Sequence, residues 1–341
     1  MLCLFCYHCA NILCMRLVDF SEVPDLELAY PLFFQKNYAA YERTRGWEVK
    51  LFTNGHGYLP LKLKRNKFIM QGQYLYPPLA AGSRLSIQEE ETFLNDFIVF
   101  CRNKNVCDFI IPPVHYSLFN AVPAGSYYTD LGIIVVNLQQ TEDELFKNFN
   151  PNYRNEIRKA LAAEVEIKFD KSYFEAFYAL YKNTHARQGI YFDPRQELLN
   201  IIEGLGDKNC TIAVAIKGEE VYGASLIVFS GNEGYYYQSG AVENCPYPGA
   251  NKLLQLEVMK FLKTKGVTRY VMGGNRLGDI AGTKYEGIQK FKLRFGAQIE
   301  KGFHFYTRVT WRYNLYSKLL KAYLALRGIK QTTTGLNYRY N

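Results

Sequence analysis

The chain has 341 residues, of which 48% are apolar and 16% aromatic. That much apolar material excludes a disordered chain and suffices for two domains with packed cores. Lys and Arg outnumber Asp and Glu 41 to 32, and the resulting +9 suits phosphate-bearing substrates, RNA or an anionic membrane surface without choosing among them. No apolar run reaches the roughly 20 residues of a membrane-spanning helix, so a cytoplasmic location is the expectation.

The 8 cysteines do not suggest disulfides in a chain of this length. Cys101, Cys107, Cys210 and Cys245 are scattered and read as buried free thiols. Cys3, Cys6, Cys9 and Cys14 have the spacing of a thiolate site for zinc or an iron–sulfur cluster. No second Cys-rich segment follows and no Pro succeeds the last Cys, so no metal is expected. Residues 1–15 read as an N-terminal extension, the first 14 lying ahead of a natural-looking start at Met15 and lacking the basic region and cleavage site of a signal peptide.

The spacing of Leu32, Phe33, Tyr38 and Tyr41 predicts a helix over 26–46. Strands over 47–52 and 58–64 flank the turn Asn54-Gly55-His56-Gly57, and 68–70 adds a third. Ser86 with Glu89 makes a capping box for a helix to about 103, and 106–111 is a buried strand ended by Pro112-Pro113. A strand over 131–138 precedes a helix capped by Thr141 and Glu144. Arg154, Arg158 and Lys159 then lie on a helix whose basic face either meets substrate phosphates or is simply solvated.

Helices over 173–188 and 195–204 open the second half, followed by a meander of strands over 211–217, 221–229 and 234–239. Gly249 begins a helix with Leu254, Val258, Phe261 and Leu262 on one face and Gly266 as its stop. A strand over 269–272, a loop, a strand over 297–306 and a helix over 311–326 complete the pattern, and the polar tail is expected to fray.

The stretch 270–303 organises this reading. A short apolar run ends in Gly273-Gly274, where backbone N–H groups can approach a ligand without interference from a Cβ. Six basic residues (Arg276, Lys284, Lys290, Lys292, Arg294, Lys301) face three acids (Asp279, Glu286, Glu300), a composition suited to an anionic ligand or to an ordinary solvated loop. Tyr235, Tyr236, Tyr237 and Gln238 lie on a strand beside the expected cleft.

Three blocks in order carry a family resemblance: Pro248-Gly249-Ala250-Asn251-Lys252-Leu253-Leu254, Tyr270-Val271-Met272-Gly273-Gly274, and Phe291-Lys292-Leu293-Arg294-Phe295-Gly296. Together they resemble the C-terminal half of the FemABX-type aminoacyl and peptidyl transferases and the BioF2-like acyltransferases of the GNAT superfamily. The resemblance implies an α/β fold of tandem GNAT-like domains, each a mixed, mainly antiparallel sheet flanked by helices. Their expected bounds are 16–165 and 166–325, with a tail over 326–341. It implies acyl or aminoacyl transfer to an amine by direct aminolysis, with a cell-wall precursor among the acceptors.

The donor is aminoacyl-tRNA or acyl-coenzyme A. The GNAT coenzyme A pattern, Gln/Arg-x-x-Gly-x-Gly/Ala, has Pro246 and Asn251 at two of its positions, which favours the aminoacyl-tRNA branch. The family's Phe-Lys pair maps onto Phe291-Lys292, and Lys292 is the expected catalytic cation. Gly273, Gly274, Asn275, Phe291, Arg294, Tyr237, Gln238, Arg154 and Arg158 are the expected substrate-binding residues. Asp279 and Glu286 are the carboxylates near enough in sequence to serve as a base. No Ser/His/Asp or Cys/His set points to a covalent intermediate. The competing reading is a non-catalytic binder of RNA or precursor, with tRNA or a peripheral membrane as further partners of a basic chain.

Overall fold

A computed structural model describes residues 15–23, 30–113, 116–278, 280–327 and 338–341. The cluster Cys3, Cys6, Cys9 and Cys14 lies outside these, as does Asp279. Contacts divide the chain into two compact units, one of Met1–Leu26, Glu42–Gly132 and Lys301–Asn341, the other of Glu27–Tyr41 and Ile133–Glu300.

In the first unit, strands β1 (Arg16–Val18), β2 (Glu48–Thr53), β3 (Tyr58–Asn66) and β4 (Ile69–Tyr74) form an antiparallel meander. A short hairpin, β5 (Leu79–Ala80) and β6 (Ser83–Arg84), hangs from β3. Helix α1 (Lys36–Thr44) lies between β1 and β2 in the chain, its residues up to Tyr41 grouping with the second unit, and α2 (Ile87–Lys104) crosses to β7 (Phe109–Ile111), which pairs in parallel with β4. The start of α2 is the expected capping box: Ser86 accepts the Glu89 N–H, and the Glu89 carboxylate accepts the Ser86 N–H at 2.9 Å. Phe52, Tyr74, Phe97, Phe119 and Phe305 meet in the core. Each such ring contributes about 1.5–3 kcal/mol by leaving water. Beneath the meander, the buried Lys62 ammonium pairs with the Glu42 carboxylate at 2.8 Å and lies 4.6 Å from the centre of the Trp47 ring.

The second unit repeats that order. Strand β8 (Ser126–Asn137) leads to α3 (Glu142–Asn148), α4 (Pro151–Ala162), β9 (Glu166–Phe169), α5 (Phe174–Arg187) and α6 (Arg195–Asn209). The meander β10 (Cys210–Lys217), β11 (Glu220–Ser230) and β12 (Glu233–Ala241) is antiparallel. Helix α7 (Ala250–Thr264) then crosses to β13 (Arg269–Arg276), parallel to β12. Meander, crossover helix and parallel strand thus occur twice, and the fold is mixed α/β with mainly antiparallel strands. Helix α8 (Lys284–Leu293), strand β14 (Gln298–Arg308), helix α9 (Trp311–Leu326) and strand β15 (Arg339–Tyr340) follow.

The structure departs from the expectations at several points. The contacts do not divide at 165/166, because Ile134, Leu145, Phe149, Tyr153 and Ile157 bury their side chains in the same core as Ala213, Leu254 and Met272. Residues of the first predicted helix also join the second unit: Phe33 packs on Tyr235 at 5.5 Å, and Asn37 Nδ2 donates to Asn209 Oδ1 at 2.8 Å. That helix itself begins only at Lys36, after a 3-10 turn over Leu32–Phe34. The stretch expected to be a loop contains α8. The described end of the tail is ordered by pairing, with Arg339 opposite Tyr128 and Tyr340 opposite Tyr127. Cys101, Cys107 and Cys210 are buried free thiols, and Cys245 is partly buried. Among the described residues no helix is long and apolar enough to cross a membrane.

Candidate active site

The site is built where β12 and β13 part. Their parallel ladder joins Glu233, Gly234 and Tyr235 to Arg269, Tyr270 and Val271, and beyond these the two strands are no longer paired with each other. At the same level β12 bulges: Tyr236 and Gln238 stand opposite consecutive residues Ile227 and Leu226, leaving Tyr237 as the extra residue. A bulge bends its strand and re-aims the side chains around it. Gln255 of α7 ties the strands behind this opening, accepting from the Tyr270 hydroxyl at 2.8 Å and donating to Ser225 Oγ at 3.4 Å.

On the β12 side, Gln238 Nε2 donates to Asp193 Oδ2 at 3.0 Å, and the Tyr181 hydroxyl donates to the same oxygen at 3.2 Å. The Asp193 N–H in turn donates to the Tyr181 oxygen at 2.9 Å. Burial raises the Tyr181 phenol well above its ordinary value, so it remains a donor. The His185 ring lies 4.3 Å from that of Tyr181. Helix α5 reaches β12 this closely because of Gly240, where a Cβ would lie 2.2 Å from the Leu180 carbonyl carbon. Asp193 was not singled out in the sequence. Its signal there was weak, a single acid among the aromatic and turn residues joining two helices.

On the other side, β13 continues through the paired glycines to Arg276 instead of ending at them. Gly273 has a φ of 102°, a conformation that excludes most side chains. Asn275 is buried; its Nδ2 donates to the Arg276 carbonyl at 3.4 Å, while its Oδ1 accepts no hydrogen bond among the described residues. Arg276 stacks on Tyr285 at 4.1 Å, which holds α8 against β13. Within α8, Gln289 Oε1 is also buried without a donor among the described residues. Lys292 is half-buried and forms no ion pair among the described residues. Loss of hydration lowers its ammonium from 10.5 to about 8. An amine this poorly hydrated is worth most near a negative charge that develops during reaction.

Residues 147–291 match the family model described as an Acetyltransferase (GNAT) domain. Over these residues the chain is similar to a GNAT domain. Among solved structures, FemX superposes with a TM-score of 0.63 at 14% identity, covering 86% of this chain and 97% of its own. The C-terminal domain of a putative lysylphosphatidylglycerol synthetase from Agrobacterium fabrum gives 0.52 at 11% identity, covering 89% and 96% respectively. A conserved protein of unknown function from Bacteroides thetaiotaomicron gives 0.50 at 10% identity, covering 79% and 88%. At such identities these likenesses show a shared fold. No curated protein matches by sequence.

Within the matched residues, α7 opens at Gly249 directly beneath α4. A Cβ on Gly249 would lie 2.0 Å from the Glu156 carbonyl oxygen and 3.0 Å from the Ala160 Cβ. The Glu156 carboxylate pairs with Lys252 Nζ, in the first turn of α7, at 2.9 Å. The first turn of this helix therefore faces protein atoms and an acid.

The remaining expected residues have structural partners. Phe291 packs on Tyr153 at 6.0 Å and on Phe295 at 5.1 Å, and Arg294 lies 5.8 Å from the Tyr153 ring centre. Gly296 has a φ of 70°, and a Cβ there would meet the Asn148 Cβ at 2.9 Å, so this part of the family motif serves packing. Arg154 is half-buried, whereas Arg158 is exposed and sits 5.6 Å over the Phe146 ring. An open groove of about 350 Å³ is lined by Asn148, Asn150, Lys290, Leu293 and Arg294. Glu286 accepts the Gly282 N–H at 2.8 Å and pairs with Lys290, both of which hold its carboxyl below the usual range. That makes Glu286 a helix-capping acid.

Proposed function

We propose that the protein is an acyl- or aminoacyl-transferase that forms an amide on an amine acceptor, working at the opening between β12 and β13. The observation that carries this reading is the parting of the two strands at the Tyr237 bulge. It leaves Gln238 with Asp193 on one side and the strand leading to α8 and Lys292 on the other. Direct aminolysis asks for aligned reactants, stabilisation of an oxyanion and a place for one proton. The amine nitrogen attacks the donor carbonyl carbon, and the bond from that carbon to the leaving oxygen breaks. Lys292 stabilises the negative charge on the carbonyl oxygen. Asp193 takes the proton lost by the amine, which is returned to the leaving oxygen.

The donor in this proposal is aminoacyl-tRNA. A coenzyme A pyrophosphate would need the free N–H groups and positive dipole at the start of α7. The close approach of α4 at Gly249 and the Glu156 carboxylate beside Lys252 do not fit such a group. The acceptor we favour is the amine of a cell-wall precursor, in keeping with the resemblance to FemABX-type transferases. This also makes a cytoplasmic location the natural one.

The test offers the pure protein labelled aminoacyl-tRNA or labelled acetyl-coenzyme A, each with a UDP-linked muropeptide as acceptor. Amide formed from the tRNA ester, with no measurable coenzyme A binding, is the expected result. Transfer from acetyl-coenzyme A would overturn the choice of donor. Retention of tRNA or precursor without transfer from either donor would favour a binding protein.

A further inference from the structure

The charge of the chain is unevenly placed. Beyond Glu300 lie eight Lys or Arg and no Asp or Glu, so residues 301–341 carry +8 of the total +9. This stretch contains α9, which has no buried residue. The inward face of α9 is anchored to the first unit. Tyr313 stacks on Phe109 at 4.3 Å, Tyr316 meets Phe68 at 5.8 Å, and Arg312 pairs with Asp108 at 2.8 Å. Its outward face carries Trp311, Leu315, Leu319, Ala322 and Leu326, spaced by four, four, three and four residues. That recurrence places them in one stripe along the helix. Trp311 is 72% exposed, Leu319 53% and Leu326 88%.

We propose that α9 is a membrane-docking helix that seats the first unit on an anionic lipid surface. Leucines and a tryptophan along one stripe enter the boundary between headgroups and acyl chains, with the helix lying flat on the bilayer. Lys318 and Lys321 are exposed, make no ion pair among the described residues and flank the stripe, where they meet lipid phosphates. A basic surface alone would suit RNA equally. The outward stripe, however, is aliphatic apart from Trp311, and leucines offer bases no stacking face. A second copy of the chain is disfavoured by charge, since two such faces would each bring the same uncompensated lysines together. The function proposed above does not depend on this surface.

The experiment is vesicle sedimentation of the full chain with phosphatidylcholine alone or mixed with phosphatidylglycerol. Binding to the mixed vesicles alone, weakened by salt, is expected. Lys318→Glu with Lys321→Glu should lower that binding about tenfold or more, since each basic group near an anionic surface is worth about 1 kcal/mol. Leu315→Ser with Leu319→Ser should do the same without changing the melting temperature, because both side chains are already exposed. In a Trp47→Phe protein, Trp311 is the remaining tryptophan, and its emission should shift to the blue on mixed vesicles. The proposal is overturned if the wild-type chain ignores both vesicles or binds both equally. It is equally overturned if the leucine pair abolishes a dimer seen by ultracentrifugation, or if the lysine pair abolishes binding to single-stranded RNA while vesicle binding persists.

Discussion

Replacing Lys292 by Met tests whether the ammonium is held for reaction at the expense of stability. Burial without a counter-charge lowers this group from 10.5 to about 8. Each tenfold change in a protonation equilibrium is worth about 1.4 kcal/mol. The full difference therefore corresponds to about 3 kcal/mol, and solvent reaching the half-buried amine reduces this to about 1–2 kcal/mol. A folded-state value below the unfolded one means that the unfolded chain binds more protons between about pH 8 and 10.5. The cost is thus complete below pH 8 and is relieved as pH rises from 8 to 10.5. Lys292→Met should melt about 2–6 °C above the wild-type protein at pH 7, with the gap closing towards pH 10.5. Its rate of amide formation should fall about 10²–10³-fold. Lys292→Arg should recover part of that rate, since a planar fork replaces a compact ammonium poorly. Exposed Lys301→Ala should be nearly silent. In the wild-type enzyme the rate should decline as pH passes about 8 and the ammonium is lost. Thermal melts across pH and a transfer assay provide the measurements. A Lys292→Met protein that melts lower than wild type at pH 7, or that retains full activity, would refute the reasoning.

Asp193→Asn keeps the shape of the group between Gln238 and Tyr181 but removes its capacity to take a proton. The transfer rate should fall about 10²-fold or more with KM and melting temperature little changed, as steady-state kinetics and melts would show. Gly249→Ala forces a methyl group into the Glu156 backbone and should cost about 1–3 kcal/mol in denaturant titration, since neither helix can withdraw freely. Glu42→Ala strands the buried Lys62 ammonium and should cost about 3–5 kcal/mol in the same measurement, whereas Lys64→Ala, at the exposed end of β3, should stay within about 0.5 kcal/mol.

The elements that could be read from the sequence are those whose signals are local. The caps at Ser86 and Thr141, the meander from β10 to β12 and the apolar face of α7 all follow from periodicity and from residues three or four apart. The order of these elements, with the three motif blocks, carried the family resemblance as well. What could not be read depends on residues distant in sequence. Helix α8 has a weak apolar face and looked like a loop; its place is decided by Arg276 stacking on Tyr285 and by Phe291 packing on Tyr153. Asn37 and Asn209 meet across 172 positions, and Gln238 finds Asp193 across 45. The state of Lys292 is of the same kind. Its sequence neighbours name a basic residue, but hydration is lost to atoms supplied by the packed fold. Periodicity determined which faces are apolar, whereas desolvation and close approach, as at Gly249 beneath α4, depend on what those faces meet, and only the tertiary structure decided that.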